Sequence, residues 1–493
     1  MTIKPIVLLL AAAMLPVGAQ ARKSAYDKAR EKQEKRYEKA KKQATKRYEN
    51  LRDQANRRYI KALEKAWKRY ERNAPVARPV EPPVPPVVAP PKPEPPIDRP
   101  VKVDPVPVAP LPQPAPQPEP IAPPQPPVEP IATYQFTWLG TPLEVRRPAD
   151  IKMTTSAPDA VAAAWQALSA PEYDAMLEDC LTIRRDRELC DWAYLSLVSS
   201  LTSGLYGQGT PAAETLAAWL LSQSGYKVRL ATTGKTLRTL FASRHMIYGR
   251  TFLIDGNDYL YPLTPTESDE GWYMASADMP GEKTVSLYVN RLPRLNAHAK
   301  SPRTLKWAQG NGATATVSGD ANLIDFYASY PTSYLDGDHM TRWQQYAMTP
   351  LSASNRPMVE TLRKAIAGKS QAEAVGTILN FVQTAFEYEY DDKVWGGDRA
   401  FFPDETVYYP YSDCEDRAIL FTRLVRDLTG LNAALLYYPG HLAAAVEFTD
   451  PVKGDWLTIG GRRFVVCDPT YINAPVGSTM PGMDNATAKA IQL

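Results

Sequence analysis

Cysteine and histidine are scarce in this chain. Among 493 residues there are four of each: Cys180, Cys190, Cys414 and Cys467, and His245, His298, His339 and His441. So few cysteines exclude a disulfide scaffold. Cys180 and Cys190 either bridge in an oxidising compartment or remain a reduced buried pair. The CxxC pairs and the HExxH signature of zinc sites are missing, so neither a metal nor a cofactor is expected. The four histidines leave a narrow choice of catalytic base. Long hydrophobic runs are absent beyond the first residues. There, Lys4 precedes the apolar run Pro5 to Val17 and the triplet Ala19-Gln20-Ala21, which read together as a secretory signal over residues 1–21. The run is too short for a membrane span, and an uncleaved anchor is the alternative reading. No Cys follows it, which argues against lipid attachment. The mature chain is expected to start near Arg22 and to be secreted, or to work in a periplasm or at the cell envelope.

Proline and glycine are absent from residues 22–73. Tyr26, Tyr37, Tyr48, Tyr59 and Tyr70 recur there every 11 residues, with Ala29, Ala40, Leu51 and Ala62 at i+3. This period fits a nearly straight helix, with a slight right-handed supercoil if helices pair. Fully helical, the arm would be roughly 80 Å long. It carries 20 Lys+Arg against 8 Asp+Glu, whereas residues 74–493 carry 36 against 46. The net charge of +3 therefore hides a basic arm and an acidic remainder. A basic helix with a thin tyrosine stripe suits a solvated stalk, self-association or an anionic envelope surface. Nucleic acid is not expected as a partner of an exported chain. Residues 74–130 contain 25 prolines, which predicts a polyproline II spacer without a packed core over 74–132.

From about Thr133 the composition is globular, and the fold class expected is α+β. Helical periodicity covers Asp159–Leu168, Tyr173–Ile183, Leu189–Leu205 and Pro211–Ser224. Strands follow at Lys227–Ala231, Met246–Ile254 and Tyr259–Pro262, with a turn at Asp255-Gly256-Asn257. These elements make up a lobe over 133–290. Residues 283–330 are strand-rich, with strands at Val285–Val289 and Ala313–Val317, and a strand-rich connection over 291–355 leads into a second domain over 356–493. That domain opens with helices at Arg356–Ile366 and Ser370–Glu387.

One stretch in the second domain carries chemistry. Ser412 and Glu415 read as a capping box, followed by an apolar helical face from Ile419 to Leu428 and a helix stop at Gly430. Cys414 then falls in the first turn, where the helix dipole favours a thiolate. Downstream, His441 opens a strand after Pro439-Gly440, and Asp468 ends the next strand before Pro469. Antiparallel neighbours would bring His441 beside Asp468, the arrangement a nucleophilic thiol needs: a base and an acid that orients the base. Cys467 should face the core, and His245, His298 and His339 are expected to be structural or on the surface. The run Tyr408-Tyr409-Pro410-Tyr411 either walls a substrate cleft or is core.

Ser412-Asp413-Cys414-Glu415-Asp416-Arg417-Ala418 through Gly430, Gly440-His441 and Cys467-Asp468-Pro469-Thr470 together resemble the transglutaminase-like superfamily of papain-type cysteine enzymes, over about residues 370–480. The resemblance implies a helix packed on an antiparallel sheet and acyl transfer through a thioester. Cys414 would be the nucleophile, His441 the base and Asp468 the orienting acid. The sequence departs from the pattern at Leu442, where an aromatic residue is common, and in the insertion Asp450–Gly461. For the oxyanion, the backbone N–H of Cys414 is one candidate donor and Gln383 another, a solvated helical Gln being the alternative for the latter. The expected substrate is a peptide or protein. Hydrolysis is favoured over cross-linking because water is the default acceptor. The competing reading is a catalytically inactive binding or scaffold module on the same fold, tethered at the envelope by arm and spacer.

A weak internal duplication is also visible. Pro211 to Leu230 parallels Arg417 to Leu435, each reading as helix, Gly and strand. Gly209 stands where Cys414 stands. His245 is the expected counterpart of His441, and Pro262 lies near the position of Asp468. Two ordinary helix–strand units are the alternative.

Overall fold

A computed structural model describes residues 72–73, 100–102 and 132–493, apart from 154, 234–235, 267–271, 275–280 and 397. The signal segment, the 11-residue repeat and nearly all of the Pro-rich spacer lie outside the described residues. Two short pieces near them are described: β1 (Arg72–Asn73) and β2 (Pro100–Lys102).

The hairpin β3 (Thr133–Trp138) and β4 (Thr141–Arg146) opens the continuous chain. Its turn, Leu139-Gly140, has positive φ at both residues (43° and 66°), the backbone twist a two-residue hairpin demands. Four helices follow: α1 (Pro158–Leu168), α2 (Pro171–Asp186), α3 (Asp191–Tyr206) and α4 (Pro211–Gln223). Three begin on Pro, whose missing N–H is unneeded in the first turn.

The first sheet is built from β5 (Val228–Thr233), β6 (Thr236–Ser243), β8 (Leu253–Asp255), β9 (Asp258–Pro262) and β10 (Trp272–Met274), while β7 (His245–Ile247) lies apart. Its order is β1-β10-β5-β6-β9-β8. Met246–Ile254 is therefore not one strand, because Tyr248-Gly249 turns the chain between β7 and β8, with Gly249 at φ 67°. Val285–Val289 alternates in sequence but makes no strand; Val285 only bridges Ser243. The connection continues through the hairpin β11 (Arg303–Lys306) and β12 (Thr314–Val317), then α5 (Ala321–Ser329), β13 (Ser333–Leu335) and α6 (Thr341–Met348). β13 pairs with β7.

In the second lobe, α7 (Arg356–Ile366) and α8 (Gln371–Ala385) precede β14 (Glu387–Tyr388), α9 (Asp391–Val394), α10 (Pro403–Tyr408) and β15 (Tyr411–Ser412). Then come α11 (Cys414–Thr429) and the strands β16 (Ala433–Tyr438), β17 (His441–Glu447), β18 (Trp456–Ile459), β19 (Arg462–Cys467) and β20 (Lys489–Gln492). The second sheet runs β2-β18-β19-β17-β16-β20. Helices α7, α8 and α11 cover one face with a core that includes Ile378, Phe381, Leu420, Leu424, Val446 and Cys467. Ala443, Ala445, Phe464 and Val466 point to the other, equally buried face. Cys467 is thus a core residue. Cys180 and Cys190 are free buried thiols.

The two lobes repeat one topology. The order β10-β5-β6-β9-β8 recurs as β20-β16-β17-β19-β18. Gly225 and Gly430, each at positive φ after its helix, are 205 positions apart. So are the first residues of β5 and β16 (228, 433) and of β6 and β17 (236, 441). The same offset places Gly209 at Cys414, as expected. It places Thr236, not His245, at His441. Leu240 pairs with Pro262, and its equivalent Ala445 pairs with Val466. Two residues on, Thr264-Pro265 therefore matches Asp468-Pro469, so Pro262 is not the counterpart of Asp468. The connection before the nucleophile position differs most. Residues 207–208 alone separate α3 from Gly209, whereas 386–413 separate α8 from Cys414.

Candidate active site

β17 and β19 are antiparallel neighbours in register Ala444↔Cys467, so the start of one strand meets the end of the other. His441 Nε2 lies 2.8 Å from Asp468 Oδ2, both groups fully out of solvent. The other carboxylate oxygen, Oδ1, accepts the backbone N–H groups of Thr470 (2.8 Å) and Tyr471 (3.2 Å). Pro469 ends the strand, so the chain turns here and Asp468 caps its own turn. The imidazole is stacked beside the Tyr438 ring, 6.2 Å between centroids. Its second nitrogen, Nδ1, is buried and has no hydrogen-bond partner. A buried ring nitrogen left unpaired is costly.

Gln383, on α8, is neither solvated nor a free oxyanion donor. Its Nε2 donates to the carbonyls of Asp468 (3.0 Å), Tyr471 (2.8 Å) and Ala474 (3.1 Å). Both amide protons are committed to holding the turn that carries Asp468. The backbone oxygen of Gln383 in turn accepts from Arg417 Nη1. Arg417 is completely buried, and its other bonds go to Phe386 O and Ser412 Oγ. Burial lowers its pKa to about 10. Sequence reasoning missed Arg417; the only signal was a charged residue inside an apolar helical run.

Cys414 opens α11, but the cap is one residue later than the Ser412–Glu415 pattern implies. The N-cap is Asp413, whose backbone N–H is accepted by Asp416 Oδ2 (3.3 Å). Ser412 is freed to accept from Arg417. The thiol is only 2% exposed and donates to Glu415 Oε2 at 3.1 Å. Burial, then the charges of Glu415 and Asp413, push its pKa well above that of an ordinary thiol, with only the Leu442 N–H opposing. Burial and the two flanking carboxylates thus oppose the thiolate that the helix dipole alone would favour. The imidazole–carboxylate pair is formed and the thiol–imidazole pair is not. The Leu442 backbone, next to His441, already faces the sulfur.

The segment between α8 and α11 walls this region. Trp395 packs against Phe401 and Tyr409, while Tyr411, Trp395 and Val394 expose their apolar surface. Within the tyrosine run Tyr409 is thus packed on aromatic neighbours, whereas Tyr411 is exposed. The same segment contributes acids. Oxygens of Asp391, Asp413 and Asp416 lie within 4.8 Å of one another, as do those of Asp391, Asp398 and Glu415. His245 is buried and neutral, pushed down to about 3 by desolvation, and its Nε2 accepts from Leu287 N–H; His298 is exposed. Among the described residues no helix is long and apolar enough to cross a membrane. Comparison with protein-family models and with curated proteins finds no match to this chain.

Proposed function

We propose that the chain is an exported cysteine enzyme of transglutaminase-like type that cleaves, or transfers the acyl group of, peptide-like amides through Cys414, His441 and Asp468. The observation that carries this reading is the dry His441–Asp468 pair with Nδ1 left unsatisfied, next to the strand residue whose N–H faces the Cys414 sulfur. In the reaction, Nδ1 takes the thiol proton and sulfur attacks the carbonyl carbon. The imidazolium then protonates the leaving amine as the C–N bond breaks, leaving a thioester. Nδ1 next deprotonates water, which attacks the thioester; the acid leaves and the thiol is restored. Asp468 keeps the ring oriented and stabilises its cation. The Cys414 N–H remains the candidate oxyanion donor, since Gln383 is committed elsewhere. The first lobe, with Gly209, Thr236 and Thr264 at the three positions, reads as a copy without this chemistry. Arm and spacer would hold the pair of lobes away from an anionic envelope surface.

The burial of Cys414 favours a second reading, an inactive binding module on the same fold. Peptide hydrolysis separates the two. Wild-type protein is expected to release amine from a peptide library, with Cys414→Ala inactive. Equal turnover by wild type and variant, or none by either, would support the module.

A further inference from the structure

We propose that the outer edge of β18 is a docking surface for an extended peptide, and that its occupant is the segment Pro100–Asp104 of this chain's own Pro-rich spacer. Each lobe supplies five strands in the same order, and each sheet gains its sixth strand from outside the lobe. On the second sheet, β2 lies parallel to β18 in register Trp456↔Pro100, Leu457↔Val101 and Thr458↔Lys102. On the first, β1 lies antiparallel to β10 in register Arg72↔Tyr273 and Asn73↔Trp272. A parallel neighbour cannot come from a tight hairpin, and the whole first lobe and most of the second lie between β2 and β18 in the chain. β2 is therefore an added strand, held as a separate peptide is held on a sheet edge.

The edge calls for such a partner. β18 alternates half-buried Trp456 and Thr458 with buried Leu457 and Ile459. Without β2, the backbone groups on its outer side would form a bare row beside an apolar strand, the kind of edge that pairs with any extended chain it meets. A segment tethered to the same molecule closes the edge at high effective concentration and keeps other chains off it.

The spacer is suited to this in one place. Proline lacks the N–H that a strand must offer its neighbour. Across residues 74–130 prolines interrupt the chain so often that Val101-Lys102-Val103-Asp104 is the longest proline-free run. Two of its four residues are β-branched valines, which favour strands. Pro100 stands at the first position of β2, where a sheet tolerates proline. The chemistry the edge accepts is thus a short, proline-led, valine-rich strand. Because Arg72–Asn73 pairs with β10 and Pro100–Lys102 with β18, residues 74–99 run from the edge of one sheet to the edge of the other. The spacer acts as a strap pinned at both ends.

Docking uses neither Cys414 nor His441, so its failure and that of the hydrolase reading are distinguishable. Hydrogen exchange of full-length protein is followed by mass spectrometry. The amides of 101–104 are expected to exchange roughly tenfold or more slower than the intrinsic rate of that sequence. The double variant Val101→Pro, Lys102→Pro removes both N–H groups and lies outside the two lobes. It is expected to speed exchange at the edge-facing amides of β18 by about tenfold or more, with α11 unchanged. Val101→Ile keeps both N–H groups and should exchange like wild type. Intrinsic-rate exchange at 101–104 in wild type, or β18 protection untouched by the double variant, overturns the docking site. Protection is expected to be the same at about 1 μM and about 50 μM protein, as an intramolecular contact requires. Protection that falls on dilution would put a second copy's segment on the edge and overturn the occupant named.

Discussion

The two lobes share a strand order, a helix stop and an offset, yet they differ at the three aligned positions. In the first, the three aligned positions hold Gly209, Thr236 and Thr264. In the second they hold Cys414, His441 and Asp468, surrounded by a buried Arg417 and a group of acids. Both lobes fold. The topology therefore does not require the polar centre, and burying charges costs stability unless they are fully paired. The polar centre of the second lobe is the difference to be tested, and the comparison is open to attack at several levels.

The largest effect expected is on turnover. Cys414→Ala or His441→Ala is expected to reduce peptide hydrolysis by roughly a thousandfold or more, whereas Thr236→Ala and Thr264→Ala in the first lobe should leave kcat/KM unchanged. Steady-state kinetics on all four variants checks this. Next comes the support of the centre. Gln383→Leu leaves three carbonyls short of a donor and should lower unfolding free energy by about 2–3 kcal/mol in urea melts, while also loosening Asp468 and lowering kcat. A loss of kcat with no loss of stability would show that Gln383 acts on substrate instead.

How much of this was legible in the sequence differs by lobe and by kind of feature. The order Cys, His, Asp-Pro could be read because each residue sits at an element end marked by Gly or Pro. The α+β class and most helices could be read from periodicity. β6 was missed because Thr236–Ser243 does not alternate cleanly; it is buried along most of its length. That omission misassigned the counterpart of His441 to His245, since the hairpin register that selects Thr236 was not visible. The state of the thiol was misjudged for a different reason. The dipole is a local property, but burial and the neighbouring carboxylates Asp413 and Glu415 were decisive. Asp391 and Asp398 also join the acid group only through the folded wall segment. Gln383 read either as a solvated helical residue or as an oxyanion donor and is instead a clamp, because its partners lie 85–91 residues downstream.

The remaining predictions concern smaller effects. His245, buried in the first lobe, has its pKa lowered from 6.5 to about 3 by desolvation. A depressed base contributes stability above its unfolded pKa, and that stability is lost as pH falls from 6.5 towards 3. About 2 kcal/mol should disappear between pH 7 and pH 5. His245→Gln should flatten the dependence of the urea midpoint over that range. Smallest of all, Gly225→Ala and Gly430→Ala test the equivalence of the two helix stops. Both sit at positive φ (89° and 71°) with open space where a Cβ would go. Each substitution should cost about 1 kcal/mol from backbone strain alone, and the two costs should match. Unequal costs would weaken the structural equivalence.

The most direct test of the central claim is covalent capture. Full-length protein is incubated with a peptidyl electrophile and the adduct is mapped by mass spectrometry across Cys180, Cys190, Cys414 and Cys467. The account predicts one adduct, on Cys414, formed much more slowly in His441→Ala. Labelling spread evenly over the four cysteines, or a Cys414 adduct indifferent to His441, would contradict it.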